Sequence, residues 1–421
     1  MEKKHSKKAL VFVVILLLVV TNVATFVFSN MATIALGNKV VLSTEESEHA
    51  QFLTKLLTLK KTIERDYYQE VESKDLMEGA LAGMFDAVGD PYTTYYDEEE
   101  FGNYMEQLTG SYSGIGVVVS YDDDENITVV SPIEGSPGQE AGLVPGDIIL
   151  EVDGKSVEGE SLDEVVGKIK GEEGTTVTLT ILKNDGESQV VDITREEIQL
   201  TSVDSQVIDG IGYLSISQFE NYTLEEFQTH LEGLLAQDVK GIVFDLRDNP
   251  GGMMDVVVEI VDRILGESVI VYTEDKAGNR EVESSTDEEQ LDLPMAVLVN
   301  GASASASEIF AGALQDTDKA VIIGQQTFGK GIVQRISDLN DGTGYKITVS
   351  QYFTPNGRSI HDKGITPDIE VEMDPATLYE PDYQLEEDPQ FNKALEVLKE
   401  EIGQEQEEKE QEEEVEDESV E

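Results

Sequence analysis

A chain of 421 residues is too long for one ordinary hydrophobic core and implies two or three domains. It has no cysteine, which excludes disulfides, thiol catalysis and cysteine-ligated zinc. A formal net charge of −58 argues against nucleic acid as a partner, because phosphate binding needs clustered Lys and Arg.

The N-terminus carries Lys3, Lys4, Lys7 and Lys8 ahead of a mostly apolar run from Ala9 to Phe28. As a helix that run is about 30 Å long, enough for a bilayer core. Thr21, Asn22 and Thr25 soften its second half and make a secretory signal peptide the rival reading. No small-x-small cleavage site follows in Phe28-Ser29-Asn30-Met31-Ala32. The expectation is an uncleaved signal anchor over residues 1–30, single-pass in the cell membrane. The basic flank then keeps the N-terminus in the cytoplasm and places the rest outside.

Residues 31–105 read as a helical region. Phe52, Leu53, Leu56, Leu57, Leu59 and Ile63 recur at helical spacing, as do Leu76, Met77, Ala80, Leu81 and Met84, until Gly89-Asp90-Pro91 stops the second helix. Asp90 to Tyr96 is an aromatic-rich loop, read as a packing corner.

From about Gly110 the texture is β. Ile115–Val119 and Ile127–Val130 flank a polar turn, Ile148–Val152 ends at Asp153-Gly154, residues 161–170 form an amphipathic helix, and Thr175–Leu182 pairs with Gln189–Thr194 across Asn184-Asp185-Gly186. This unit, 106–197, resembles a PDZ domain through Gly114-Ile115-Gly116-Val117, Ser136-Pro137…Ala141-Gly142-Leu143 and Gly146-Asp147-Ile148-Ile149. The glycines before Val117 free backbone N–H groups to cradle a chain-terminal carboxylate, and the peptide adds as a strand beside them. Relatives of this unit in proteases often carry Arg just before the glycine that follows the helix. Lys170 stands there, so the charge persists without bidentate contacts.

Beyond residue 200 strands and helices alternate: Gly241–Leu246, Met253–Leu265, Met295–Val299, Ser307–Gln315 and Ala320–Ile323, then a hairpin of Val333–Leu339 with Tyr345–Phe353. Such alternation predicts an α/β layer with buried, mostly parallel strands. A last helix at 390–400 leads into a tail expected to be disordered, with eleven acidic residues and one lysine from Gln404 to Glu421.

The chemistry lies in Ser303–Glu308 and in Phe328-Gly329-Lys330-Gly331-Ile332-Val333-Gln334. A serine needs a base to become a nucleophile, and a lysine kept neutral can be that base. Against an ordinary value near 10.4, holding it unprotonated near neutral pH takes about 4 kcal/mol of differential desolvation. The four histidines, His5, His49, His230 and His361, are scattered without HExxH spacing, so a zinc hydrolase is not indicated. Sequence alone does not choose among Ser303, Ser305 and Ser307.

These two stretches, with Asp245-Leu246-Arg247-Asp248-Asn249-Pro250-Gly251-Gly252, Thr354-Pro355-Asn356-Gly357-Arg358 and Gly364-Ile365-Thr366-Pro367-Asp368, resemble the carboxyl-terminal processing proteases, the S41 peptidase family, over nearly all of residues 60–370. The resemblance implies an α/β multidomain chain: a crotonase-like protease core at 198–378, the inserted PDZ unit, and a C-terminal helix with the acidic tail at 379–421. It picks Ser305 as nucleophile, Lys330 as base and Gln334 as the group that holds the amine without adding charge. Fully extended, Lys330 and Gln334 would start about 13 Å apart, so a bend near Gly331 is needed. The helix beginning near Ser307 offers open N–H groups; Ala306, with the Gly251-Gly252 turn, is the expected oxyanion hole. Gly114, Ile115, Gly116, Val117 and Lys170 are the expected peptide-binding residues.

The implied activity is serine endopeptidase cleavage near the C-terminus of protein substrates, gated by the PDZ unit, with no cofactor or metal. The implied partners are chains with free C-termini and a second copy bound through helical terminal regions. A Ser–His–Asp site built on His361 is the weak rival, and Arg247 beside Asp245 reads as a structural ion pair. A catalytically dead adaptor is the alternative outside enzymes.

Overall fold

The computed structural model of the chain describes residues 44–122, 125–286, 290–380 and 383–420. The anchor expected within residues 1–30 lies outside them, and among the described residues no helix is long and apolar enough to cross a membrane. The chain divides into two compact units at Gly83–Met84.

The first unit holds α1 (Thr44–Asp66) and most of α2 (Ser73–Asp86). Phe52, Leu53, Leu57 and Leu59 of α1 are exposed, so the apolar positions predicted from their spacing are presented rather than buried.

The second unit opens with β1 (Thr94–Tyr96) inside the expected aromatic loop, then α3 (Glu98–Thr109). α3 starts where Asp97 accepts from the Glu99 and Glu100 N–H groups at 3.0 and 2.9 Å, while Glu100 accepts from the Asp97 N–H at 3.1 Å, a reciprocal cap. It ends at Gly110 in a left-handed conformation.

Next come β2 (Ser111–Gly114), β3 (Val117–Tyr121), β4 (Ile127–Pro132), α4 (Pro137–Glu140), β5 (Ile148–Val152), β6 (Lys155–Ser156), α5 (Leu162–Ile169), β7 (Thr176–Leu182), β8 (Ser188–Thr194) and β9 (Glu196–Gln199). The antiparallel sheet β3-β4-β5-β7-β8 carries β6 on β5. Alternation sends Val177, Leu179 and Ile181 of β7 inward against Ile115, Ile149 and Val165. β2 pairs with β9, and the Leu200 N–H donates to Gly110 O at 2.9 Å, so the chain enters and leaves this unit side by side. The strand expected at Ile115–Val119 instead begins at Val117.

The remainder is β10 (Val203–Ile208), β11 (Ile211–Ile216), α6 (Thr223–Leu235), β12 (Ile242–Asp245), α7 (Met254–Asp262), β13 (Ser268–Asp275), β14 (Arg280–Ser285), β15 (Met295–Val299), α8 (Ala306–Asp316), β16 (Val321–Gly324), β17 (Ile332–Asp338), β18 (Gly344–Phe353), β19 (Ile369–Glu370) and α9 (Pro389–Val420). One sheet runs β10-β11-β12-β15-β16-β19, antiparallel only between β10 and β11. Its central strands bury both faces, as their unbroken apolar runs require. Ile242, Phe244, Val297 and Val299 meet α6, α7 and α8, while Val243, Ala296 and Leu298 meet Phe391, Ala394 and Leu398 of α9. A second, antiparallel sheet runs β1-β18-β13-β14 with β17 on β18. The tail expected to be disordered continues α9 to Val420; glutamate, glutamine and lysine are good helix formers, which its charge alone does not reveal.

Candidate active site

β15 ends in a loop that α8 follows, and the three serines of that loop differ in what holds them. Ser303 is buried and its hydroxyl donates to Leu246 O at 2.7 Å; Ser307 is buried and its hydroxyl donates to Asn249 O at 3.0 Å. Both serve the loop itself. Ser305 caps α8 with φ 55° and ψ −113°, a conformation L-residues rarely adopt and one that costs roughly 1–3 kcal/mol. It borders a cavity of about 180 Å³ whose walls include Leu108, Met253, Ile309 and Ile336, with Gln334 on the same cavity. Neither Ser303 nor Ser307 lines this cavity.

Glu308 and Tyr352 bring the lysine loop to the serine loop. The buried Glu308 carboxylate accepts from the Ser305 N–H at 2.9 Å, the Lys330 N–H at 2.9 Å, the Gly329 N–H at 2.8 Å and the Thr327 hydroxyl at 2.6 Å. Burial raises this carboxyl above its usual range, against the pull of those four donors. The Tyr352 hydroxyl lies 3.0 Å from Ser305 O and in contact with Lys330 O, and burial holds its phenol well above the usual range, so it stays a donor. A side chain on Gly331 would strike the His361 backbone nitrogen, so close approach is what requires glycine there. The bend was expected near Gly331; the irregularity of β17 is a bulge between Val333 and Gln334.

The three side chains are not joined to one another. Lys330 Nζ sits 5.2 Å from the Tyr92 ring centre, and no hydrogen bond joins Ser305, Lys330 and Gln334 among the described residues. Gln334 Nε2 reaches only Ile332 O, at 3.4 Å. Burial pushes the Lys330 ammonium below its ordinary range; repulsion from Lys346 adds to this and Glu308 opposes it. The aromatic loop read as a packing corner therefore supplies Tyr92 to the lysine. His361 lines a separate cavity with Asp90 and Tyr92, in which Ser305 takes no part.

The expected oxyanion donors divide. The Gly251 N–H is engaged by Asn249 Oδ1 at 2.9 Å. A Cβ on Gly251 would lie 2.7 Å from that of Ser305, so its glycine is explained by contact with the serine. Ala306 and Gly252 both border the Ser305 cavity, and no hydrogen bond engages their N–H groups among the described residues. Arg247 forms the expected ion pair with Asp245 at 2.6 Å and a second, fully buried one with Asp388 beside α9.

Gly114, Ile115, Gly116, Val117 and Lys170 line one apolar groove between β3 and α5, together with Val166 and Ile169. Lys170 pairs with Glu106 of α3 and lies 4.8 Å from the Tyr112 ring centre. Among the described residues no cluster of His, Asp and Glu is placed to hold a metal ion.

Comparison with known proteins matches residues 210–371 to peptidase family S41, 128–183 to a PDZ domain, and 18–100 to the activating protease CtpB N-terminal domain. A CtpA-like serine protease of Staphylococcus haemolyticus is 37% identical over 360 residues, 85% of this chain and 72% of that one. One of Staphylococcus saprophyticus is 34% identical over 373 residues, 88% of this chain and 74% of that one. A photosystem II D1 C-terminal processing protease of known structure is 27% identical, covering 77% of this chain and 93% of that one with a TM-score of 0.46. The chain therefore belongs to the S41 peptidases, as a CtpA-like serine protease of the C-terminal processing kind with a PDZ domain.

Proposed function

We propose that this protease works outside the cytoplasm as an endopeptidase that cuts near the C-terminus of protein substrates, with Ser305 as nucleophile, Lys330 as base and Gln334 as the amine's holder. The observation that carries this reading is the Ser305 backbone, which presents one hydroxyl of three to an apolar cavity shared with Gln334. Neutral Lys330 takes the Ser305 Oγ proton as Oγ bonds to the scissile carbonyl carbon. The oxyanion gathers at the Ala306 and Gly252 N–H groups, and the proton passes to the leaving amine as the C–N bond breaks. Water then releases the acyl group by the same route.

In the arrangement described, Lys330 rests on Tyr92, so the working site forms when its side chain turns toward Ser305. We assign control of that turn to the PDZ domain. Its groove ends at Lys170, whose partner Glu106 shares α3 with Tyr104 and Leu108 of the Ser305 cavity. A substrate carboxylate arriving at Lys170 competes with Glu106 and so acts on a helix that walls the site.

The lysine cluster and the Ala9–Phe28 run support a single-pass anchor in the cell membrane, and the exposed apolar stripe of α1 supports a homodimer. Membrane fractionation and sedimentation of the full chain check these two points. The central test is cleavage of an unfolded protein with an apolar C-terminus. Ser305→Ala is expected to abolish cleavage while C-terminal peptide still binds; retained cleavage would move the nucleophile elsewhere.

A further inference from the structure

β17 leaves one edge of its sheet open. Among the described residues it pairs with β18 alone, and no backbone–backbone hydrogen bond outside that pairing reaches residues 332–338. An open edge is a row of N–H and C=O groups with which an extended chain can pair. This edge belongs to the site, because Ile332, Val333, Gln334 and Ile336 all border the Ser305 cavity. Ile332 also borders the cavity of Tyr92 and His361, so it stands where the two adjoin. The register says which of its groups face outward. Gly331 O accepts from the Tyr352 N–H at 3.1 Å, on the β18 side. Backbone groups alternate along an antiparallel pair, so Ile332, one residue on, turns its N–H and C=O away from β18. There the Gln334 amide donates to Ile332 O at 3.4 Å, a long bond beside the usual value of about 2.9 Å. The group that is to hold the catalytic amine is thus engaged on its own strand edge, where an added strand would dock.

Resting on the Ser–Lys–Gln reading above, we propose that the substrate adds as a strand to the open edge of β17, with Ile332 as a positioning residue: a substrate N–H takes Ile332 O and releases Gln334 to hold Lys330. Strand addition recognises a chain through its backbone, which suits an unfolded C-terminal segment whatever its side chains. The exchange is favourable at both ends. A bond of ordinary length replaces a long one at Ile332 O, and the freed amide passes to the Lys330 amine instead of being left unpaired. The holder of the base therefore becomes available only while a chain lies along β17. An empty site keeps Gln334 on Ile332 and Lys330 on Tyr92, with neither joined to Ser305.

The experiment uses the full chain and a cleavable peptide in which each backbone amide, the scissile one excepted, is replaced in turn by an ester. Each replacement removes one N–H and changes the shape little, and the protein itself is unaltered. One ester, at the residue that meets Ile332, is expected to lower kcat roughly five- to tenfold, while those at the positions on either side stay near the parent peptide. A series with no sensitive position overturns the proposal. So does a sensitive position that raises KM with kcat unchanged, because strand addition without release of Gln334 loses binding alone. In Gln334→Ala there is no amide to release, and the same ester is expected to raise KM only; an equal loss of kcat there overturns the proposal. Gln334→Ala also separates the two readings. Full activity in that variant removes Gln334 as the amine's holder, whereas a slow Gln334→Ala with an insensitive ester series removes only the role of Ile332.

Discussion

Glu308 stands at the third position of α8, buried; its Oε2 accepts from the backbones of both candidate catalytic residues, and its Oε1 from the Thr327 hydroxyl and the Gly329 N–H. Glutamine in its place can accept on one side only and points an amide at the donors on the other. Glu308→Gln is therefore expected to cost about 1–3 kcal/mol of stability, read from the urea midpoint at neutral pH, and to lower cleavage as the two loops lose their common tie. The pH dependence has a definite sign. Because burial raises this carboxyl in the folded chain, its ionisation removes stability as pH climbs from its ordinary 4.5 through the folded value, and the glutamine variant lacks that slope. Some of this site was legible in sequence and some was not. The Ser–x–x–Glu pattern of Ser305 and Glu308 is a helix-start signature, so an acid in the first turn could have been expected there. That its carboxylate also reaches Gly329 and Lys330 depends on a fold that brings residues some twenty positions away together. The positive φ of Ser305, the ring under Lys330 and the register that opposes Lys346 to Ile336 likewise leave no local trace in sequence.

At the scale of elements, α9 is fixed to the main sheet by charge as well as by Phe391 and Leu398. Arg247, leaving β12, binds Asp245 and reaches Asp388 just before α9, with all three side chains nearly or wholly buried. Arg247→Met leaves two buried carboxylates without their cation and is expected to cost about 3–5 kcal/mol in denaturant titration. Burial alone would raise the Asp388 carboxyl; Arg247 and Tyr383 reverse this and hold it below its ordinary 3.8. The wild type thus keeps this contribution above that value and loses it as pH falls through the lower folded one, a slope weakened in Arg247→Met. The central strands were legible because burial on both faces leaves a continuous apolar run, and the helices between them because their apolar spacing is long enough to count. α3 too has local signals, a start in Asp97 and Glu100 and a helical stripe in Phe101, Tyr104, Met105 and Leu108, although the reading of 31–105 as helical does not single it out. β2 and β9 pair across the whole PDZ insert, a partnership that no local pattern announces.

For the molecule as a whole, the charge of −58 makes ionic strength a variable of catalysis. An acidic surface draws basic unfolded chains and repels acidic ones, and salt screens both effects beyond a Debye length of about 10 Å at 0.1 M. We expect kcat/KM for a basic substrate to fall several-fold between about 50 mM and 500 mM sodium chloride, and that for an acidic one to rise. Equal responses from the two would place substrate capture outside the reach of surface charge. The neck at Gly110 and Leu200 acts at the same scale. There the Leu200 N–H meets Gly110 O and β2 runs beside β9, so the inserted domain leaves and rejoins the hydrolase at one place. Another domain of similar footprint could enter and leave at the same place without rethreading a strand of the hydrolase, provided that it kept a partner for Glu106.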